Sequence, residues 1–249
     1  MTPQSRSGQG DEQDFTEAAY RDLVRQARAR YQFLAFADAR TADAGVLWRH
    51  DIDVSVHRAL ALARVEKEEQ ARATYFVYLH SRFYNALEDA IVDRLKQIAA
   101  LGHDIGIHFD SRFTPSGMTI ADAVSAERDA LSRAIGAAVR ALSFHDPDLR
   151  GVSVSDADDI AGLVNADGAG IKARFAYGSD SNGYWRFRRL ADVIADSGPL
   201  LQVLTHPEWW VPEPMAPRAR VQRAIDGRAA YMAAKYDAAL ADAGRENVR

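Results

Sequence analysis

VLWRHDID, residues 46–53, opens on three apolar residues and closes on a run of charge. Val46, Leu47 and Trp48 read as a buried strand, with Arg49, His50, Asp51, Ile52 and Asp53 as its exit. Three further apolar runs finish in the same chemistry: IGIHFD at 105–110, LSFHD at 142–146 and LQVLTH at 201–206. In barrel enzymes the reacting side chains come from the C-terminal ends of several different strands. Four ends of one kind in one chain therefore predict a shared cleft.

Working outward, residues 15–36 predict an amphipathic helix with Tyr20, Leu23, Val24, Ala27, Tyr31 and Leu34 on one face. Ser55 is the expected N-cap of the helix after the first strand. Residues 74–79 read as the next strand. Asn85 and Glu88 have capping-box spacing before a helix carrying Leu87, Ile91, Leu95 and Ile98, which Gly102 closes. A strand over 104–109, a helix carrying Ile120, Val124, Leu131 and Ile135, and a strand over 141–145 follow. A polar stretch rich in Asp and Gly runs to about residue 170. Strands over 174–177 and 200–205 flank a helix over 188–196, and a long C-terminal helix carries Val221, Ile225, Ala229, Met232, Tyr236 and Leu240. Strands alternating with helices predict an α/β fold with a parallel sheet, as a barrel or incomplete barrel. No repeat or linker divides the chain. One domain is expected over 14–249, behind a polar, disordered lead-in at 1–13.

Composition narrows the function. The chain has 249 residues, 47% of them hydrophobic, which suffices for one sizeable core. A net charge of -4 offers no basic surplus for nucleic acid, and the arginines are scattered among acids. The absence of cysteine excludes disulfides, thiolate ligands and a cysteine nucleophile. The first residues lack the apolar stretch of a signal peptide, and no apolar run is long enough for a bilayer. A cytoplasmic protein without stable membrane insertion is the expectation.

Asp51 and Asp53 are two apart on a strand exit and share one side of the chain. Close carboxylates repel unless a cation or proton intervenes, which suggests one metal ligand and one group that handles protons. His108 adds an imidazole, and a carboxylate–imidazole set suits Zn, Fe, Mn, Co or Ni better than Mg or Ca. Asp110 and His145 are further candidate ligands. The plainer readings are that Asp51 is a turn residue, that His103 caps a helix, and that His57 and His80 are surface or packing residues. Trp209 and Trp210 read equally as core or as a platform for a sugar ring.

In this order, LWRHDID, LGHDIGIHFD, SFHDP, YGSDSNGYWR and LTHPEWW resemble the polysaccharide-deacetylase (NodB-like, carbohydrate esterase family 4) superfamily. Within it they are most similar to the WbmS-like proteins of surface-polysaccharide and O-antigen gene clusters. The match spans about residues 46–210. It implies a distorted (β/α) barrel in which a divalent metal, zinc foremost, assists removal of an acyl group from an N-acylated sugar. Carried over by position, Asp51 is the catalytic base, Asp53 and His108 bind metal, and His206 is the general acid. Trp185 resembles the tryptophan of the motif before it. Arg49, His50, Arg112, Asp180, Trp185, Arg186, Trp209 and Trp210 are expected on the substrate side. Two departures stand out: Arg112 occupies the place of a second motif histidine, and Asp146 precedes Pro147 where an arginine is usual. The third ligand then falls to Asp110 or His145.

Without a signal peptide, the expected substrate is a nucleotide- or lipid-linked sugar precursor. Two other readings fit parts of the pattern. One is a non-catalytic sugar-binding protein with a degraded metal site. The other is a non-haem iron oxygenase, whose two-His, one-carboxylate set is the same. The alternation of strands and helices weighs against the second, because those enzymes usually use antiparallel barrels.

Overall fold

The computed structural model describes residues 12–147, 152 and 154–248. The expected lead-in at 1–13 lies mostly outside these, and Glu12 and Gln13 belong to a 3-10 turn, Glu12–Phe15. Helix α1 (Glu17–Arg30) starts at Thr16, whose side chain accepts from the Ala19 amide. It buries Tyr20, Leu23, Val24 and Ala27. It stops six residues short of the expected end, because Tyr31 is extended and Phe33–Leu34 forms a short strand, β1.

Strand β2 (Gly45–Ile52) is buried at every position. Gly45 opens it at φ 142°, and a Cβ there would stand 2.6 Å from Leu34 Cγ, so β1 can pair with β2 only against a glycine. Then come α2 (Val56–Glu68), β3 (Thr74–Val77), α3 (Asp89–Ala100), β4 (Asp104–Phe109), α4 (Ile120–Ile135) and β5 (Ala141–Phe144). Ser55 caps α2 as expected, accepting from the Arg58 amide. The capping box expected at Asn85 and Glu88 is absent: Asn85 Oδ1 takes the Leu87 amide in a turn, and α3 begins later. A capping box stands instead at Thr119 and Asp122, before α4.

The polar stretch hides a hairpin of β6 (Asp159–Ile160) and β7 (Leu163–Asn165), turned by Ala161 and Gly162 at positive φ. The chain closes with α5 (Ala169–Arg174), β8 (Ala176–Ser179), α6 (Leu190–Asp196), β9 (Leu200–Thr205) and α7 (Pro217–Asp242). The sheet order is β6-β7-β5-β4-β3-β2-β9-β8, parallel except for β6 with β7. No pairing joins β6 to β8 among the described residues, so the sheet is an incomplete (β/α) barrel. No described helix is long and apolar enough to cross a membrane.

Alternation along β2 separates two polar systems. Trp48 and His50 point into the helix layer, where Glu66 of α2 is fully buried. Glu66 accepts from Tyr75 at 2.7 Å and from Tyr20, and meets His50 Nε2 at 2.6 Å. His50 Nδ1 meets Thr205 Oγ1 at 2.8 Å. Burial pushes the Glu66 carboxyl up, but His50 beside it outweighs this and holds it below the usual range. Removing one member of such a set leaves the others buried without partners. Glu66→Ala is therefore expected to lose about 3–5 kcal/mol in urea unfolding, and Glu66→Gln distinctly less.

Candidate metal centre

Arg49, Asp51 and Asp53 lie on the opposite side of β2 from His50. Asp51 is buried and fully engaged. Its Oδ2 takes Arg49 Nη2 at 2.8 Å, and its Oδ1 takes the Ser143 hydroxyl at 3.2 Å. Burial pushes Asp51 up, and the Arg49 guanidinium reverses this, so the carboxylate stays ionised. Arg49 in turn reaches Asp167 Oδ1 at 3.1 Å, and Asp167 Oδ2 accepts the Phe144 amide at 2.8 Å.

Three groups converge next to Asp51. Asp53, His108 at the end of β4 and His145 just past β5 each bring one ligand atom within 4.8 Å of the others. His108 Nε2 stands 3.2 Å and His145 Nδ1 3.4 Å from Asp53 Oδ1, and the two nitrogens are 3.1 Å apart. Their neighbours assign the protons. Ser143 Oγ gives its hydrogen to Asp51, so it accepts from His108 Nδ1 at 2.8 Å and leaves His108 Nε2 a lone pair. His145 Nε2 faces Asp146 Oδ2 at 3.1 Å, which leaves its Nδ1 a lone pair as well.

Asp53 Oδ1 is buried and has no hydrogen-bond partner among the described residues. Two imidazole lone pairs and an orphaned carboxylate oxygen pointing together fit a divalent cation of the Zn, Fe, Mn, Co or Ni class. The electrostatics agree. Burial pushes His108 down, yet Asp51 and then Asp53 outweigh it, so the centre draws positive charge.

His206 follows β9 and completes the rim. Asp180, just past β8, takes its Nδ1 at 2.7 Å and its backbone amide at 2.7 Å, leaving Nε2 3.9 Å from Asp53 Oδ2. Burial alone would lower the His206 pKa, but Asp180 raises it to about 10, with Asp53 adding.

Asp51, Asp53, His108, His145 and His206 are thus brought together. Asp110 is not: Arg112 holds it through both oxygens, Tyr78 bonds it at 2.7 Å, and its pKa is drawn down to about 2, burial being outweighed by Arg112. Its expected place as a ligand is corrected on that ground, and the same ion pair accounts for Arg112.

On the expected substrate side, four of the residues are buried. His50 is buried in the helix layer. Arg49, Asp180 and Trp210 are buried too, the first holding Asp51 and Asp167, and the other two bonded at 3.0 Å behind His206. Trp185 packs on Phe15 with centroids 4.6 Å apart and donates to Asp14 at 2.8 Å. Trp209 lies half-buried against Gly183, and exposed Arg186 sits over Phe187. Sequence reasoning did not find Ser143, Asp167 or Tyr78, whose ring stacks on His145 at 4.2 Å. Period-two spacing from His145 is the signal for Ser143. Asp167 meets Arg49 across 118 positions and has no local signal.

No protein-family model matches the chain, and no curated protein is matched. Among solved structures, it is similar to a family 4 carbohydrate esterase from Bacillus anthracis, with 16% identity, TM-score 0.43 and 84% of each chain covered. It is similar to the chitin deacetylase of the fungal pathogen Colletotrichum lindemuthianum, with 19% identity, TM-score 0.42, and 74% of this chain and 81% of that one covered. A third is a CE4 family pseudoenzyme from Bacillus anthracis, with 14% identity, TM-score 0.46 and 73% of this chain covered; this chain spans 60% of that one.

Proposed function

We propose that this protein is a metal-dependent hydrolase that removes an N-acyl group, acetyl foremost, from a sugar in surface-polysaccharide synthesis. The observation that carries this reading is the convergence of Asp53, His108 and His145 beside Asp51 and His206. The order of strand-end motifs adds to it.

Asp53, His108 and His145 would hold the cation, which supplies a Lewis acid and a more acidic bound water. Asp51 accepts the proton of the attacking water, with Arg49 and Ser143 fixing both of its oxygens. The Ser143 hydroxyl also sets the His108 tautomer, so one small side chain serves both the base and the ligand. His206 Nε2 carries the proton for the leaving nitrogen, and Asp180 keeps it charged. The degraded-site alternative was motivated by Arg112 in the place of a histidine and by Asp146 before Pro147. His145 supplies a third ligand atom beside Asp53 and His108, which speaks against that alternative.

The test is acetate release from N-acetylated sugar phosphates and nucleotide sugars. Protein stripped with chelator is expected to be inactive and to recover on adding zinc, cobalt or manganese. A metal-stripped protein that hydrolyses at the full rate would overturn the reading.

A further inference from the structure

A cavity of about 310 Å³ lies beside the candidate centre, beneath α7. It runs from Val54, next to Asp53, to Glu208, just past His206. Val54, Phe83, Tyr84 and Val211 give it apolar walls. Its charged lining is four arginines against two glutamates, Glu88 and Glu208. The first turn of α2 brings Arg58, and α7 brings Arg220, Arg223 and Arg228.

Glu17 meets Arg58 at 2.5 Å and Glu88 meets Arg228 at 2.7 Å, but Arg220 is differently placed. It is 2% exposed, and its Nη1 reaches the Gly183 carbonyl at 3.1 Å. Its Nε and Nη2 are buried with no hydrogen-bond partner among the described residues. Burial pushes Arg220 down, as it does Arg58, to which Arg223 adds repulsion. The Arg220 guanidinium lies over the Phe15 ring at 5.0 Å, and its two unpartnered donors call for an acceptor. Glu208 Oε2, on the same wall, also lacks a partner among the described residues.

Gly227 marks the space itself. It lines the cavity from the interior of α7, where glycine is unfavourable, and a Cβ added there meets nothing within 4 Å. Backbone crowding does not require this glycine. An added side chain there would enter open space.

We propose that this cavity binds an organic phosphate. Arg220 and the positive end of α2 receive the phosphate, and the apolar walls receive the group attached to it. Several guanidiniums around a helix N-terminus suit a phosphate, whose charge and acceptors exceed a carboxylate's. As the anchor of an activated sugar the cavity rests on the hydrolase reading. As a phosphate site it stands alone.

Calorimetric titration of the chain with uridine diphosphate, farnesyl phosphate and inorganic phosphate tests this and separates a nucleotide from a lipid source. At least one organic phosphate is expected to bind, and to bind well above inorganic phosphate. Gly227→Phe fills the space and Arg223→Glu reverses a charge at its mouth; each should weaken that binding by about tenfold or more while leaving the circular dichroism spectrum unchanged. Arg220→Gln should do the same. His108→Ala, which touches only the metal centre, should bind as the parent does. Binding without any acetate release keeps this site and overturns only the hydrolase reading. Absence of organic-phosphate binding, equal binding of inorganic phosphate, or undiminished binding by Gly227→Phe overturns the site.

Discussion

His145→Ala is expected to abolish tight divalent-metal binding and, with it, acyl hydrolysis. His145 Nδ1 is one of only three groups that converge at the centre among the described residues. Loss of an outer-shell partner alone costs about 10–100-fold in metal affinity, so loss of a direct ligand should exceed that range. Metal content after dialysis, read beside acetate release, measures both effects. The informative control is Asp110→Asn. Asp110 is tied to Arg112 and Tyr78, so its neutral variant should retain metal within about threefold of the parent. If Asp110→Asn instead loses metal and His145→Ala keeps it, the ligand assignment is wrong.

The second large effect concerns His206. His206→Gln is expected to lower kcat by about 10²–10⁴-fold, the usual worth of a general acid. Asp180→Asn should act differently. Burial alone would push His206 below its ordinary value of 6.5, and Asp180 is the main charge that raises it to about 10. The acid is therefore protonated at neutral pH, and its own titration should lower activity only on the alkaline side. Without the Asp180 charge, that alkaline limb should move down toward neutrality, while activity well below pH 6 is less affected. The sign for stability is the same. A folded pKa above the unfolded one contributes stability that is complete below about pH 6.5 and is lost as pH rises through about 10. An alkaline limb that Asp180→Asn leaves in place would remove His206 from the acid's role.

Much of this arrangement was legible in the sequence. The four apolar runs ending in His or Asp did mark strands or their exits, and Leu200–Thr205 and Asp104–Phe109 form the strands their pattern predicts. What the pattern could not carry was side-chain direction. His50 lies between Arg49 and Asp51 in sequence, yet a strand sends it to the other face. Asp110 and His145 looked equivalent as ligands until Arg112, two residues from Asp110, was seen to take it. The β6–β7 hairpin escaped notice because strands of two and three residues leave no periodicity to read. Helix α7 shows the opposite fault. Its apolar spacing predicted a packed face, but Ile225, Met232 and Tyr236 are exposed, and Arg220 is its one buried residue among those described.

Strand β2 has a consequence for how the chain finds its pairing. All eight of its residues are buried, so the usual rule of apolar in and polar out cannot tell one face from the other. A slip by one residue would bury as much surface as before. It would also set His50 among the candidate metal ligands and strand Arg49 and Asp51 in the helix layer beside Glu66. The charged groups on the two sides therefore act as a proofreading code for the register. Each side rejects the other's residues, and mispaired forms are penalised before the cleft has anything to bind.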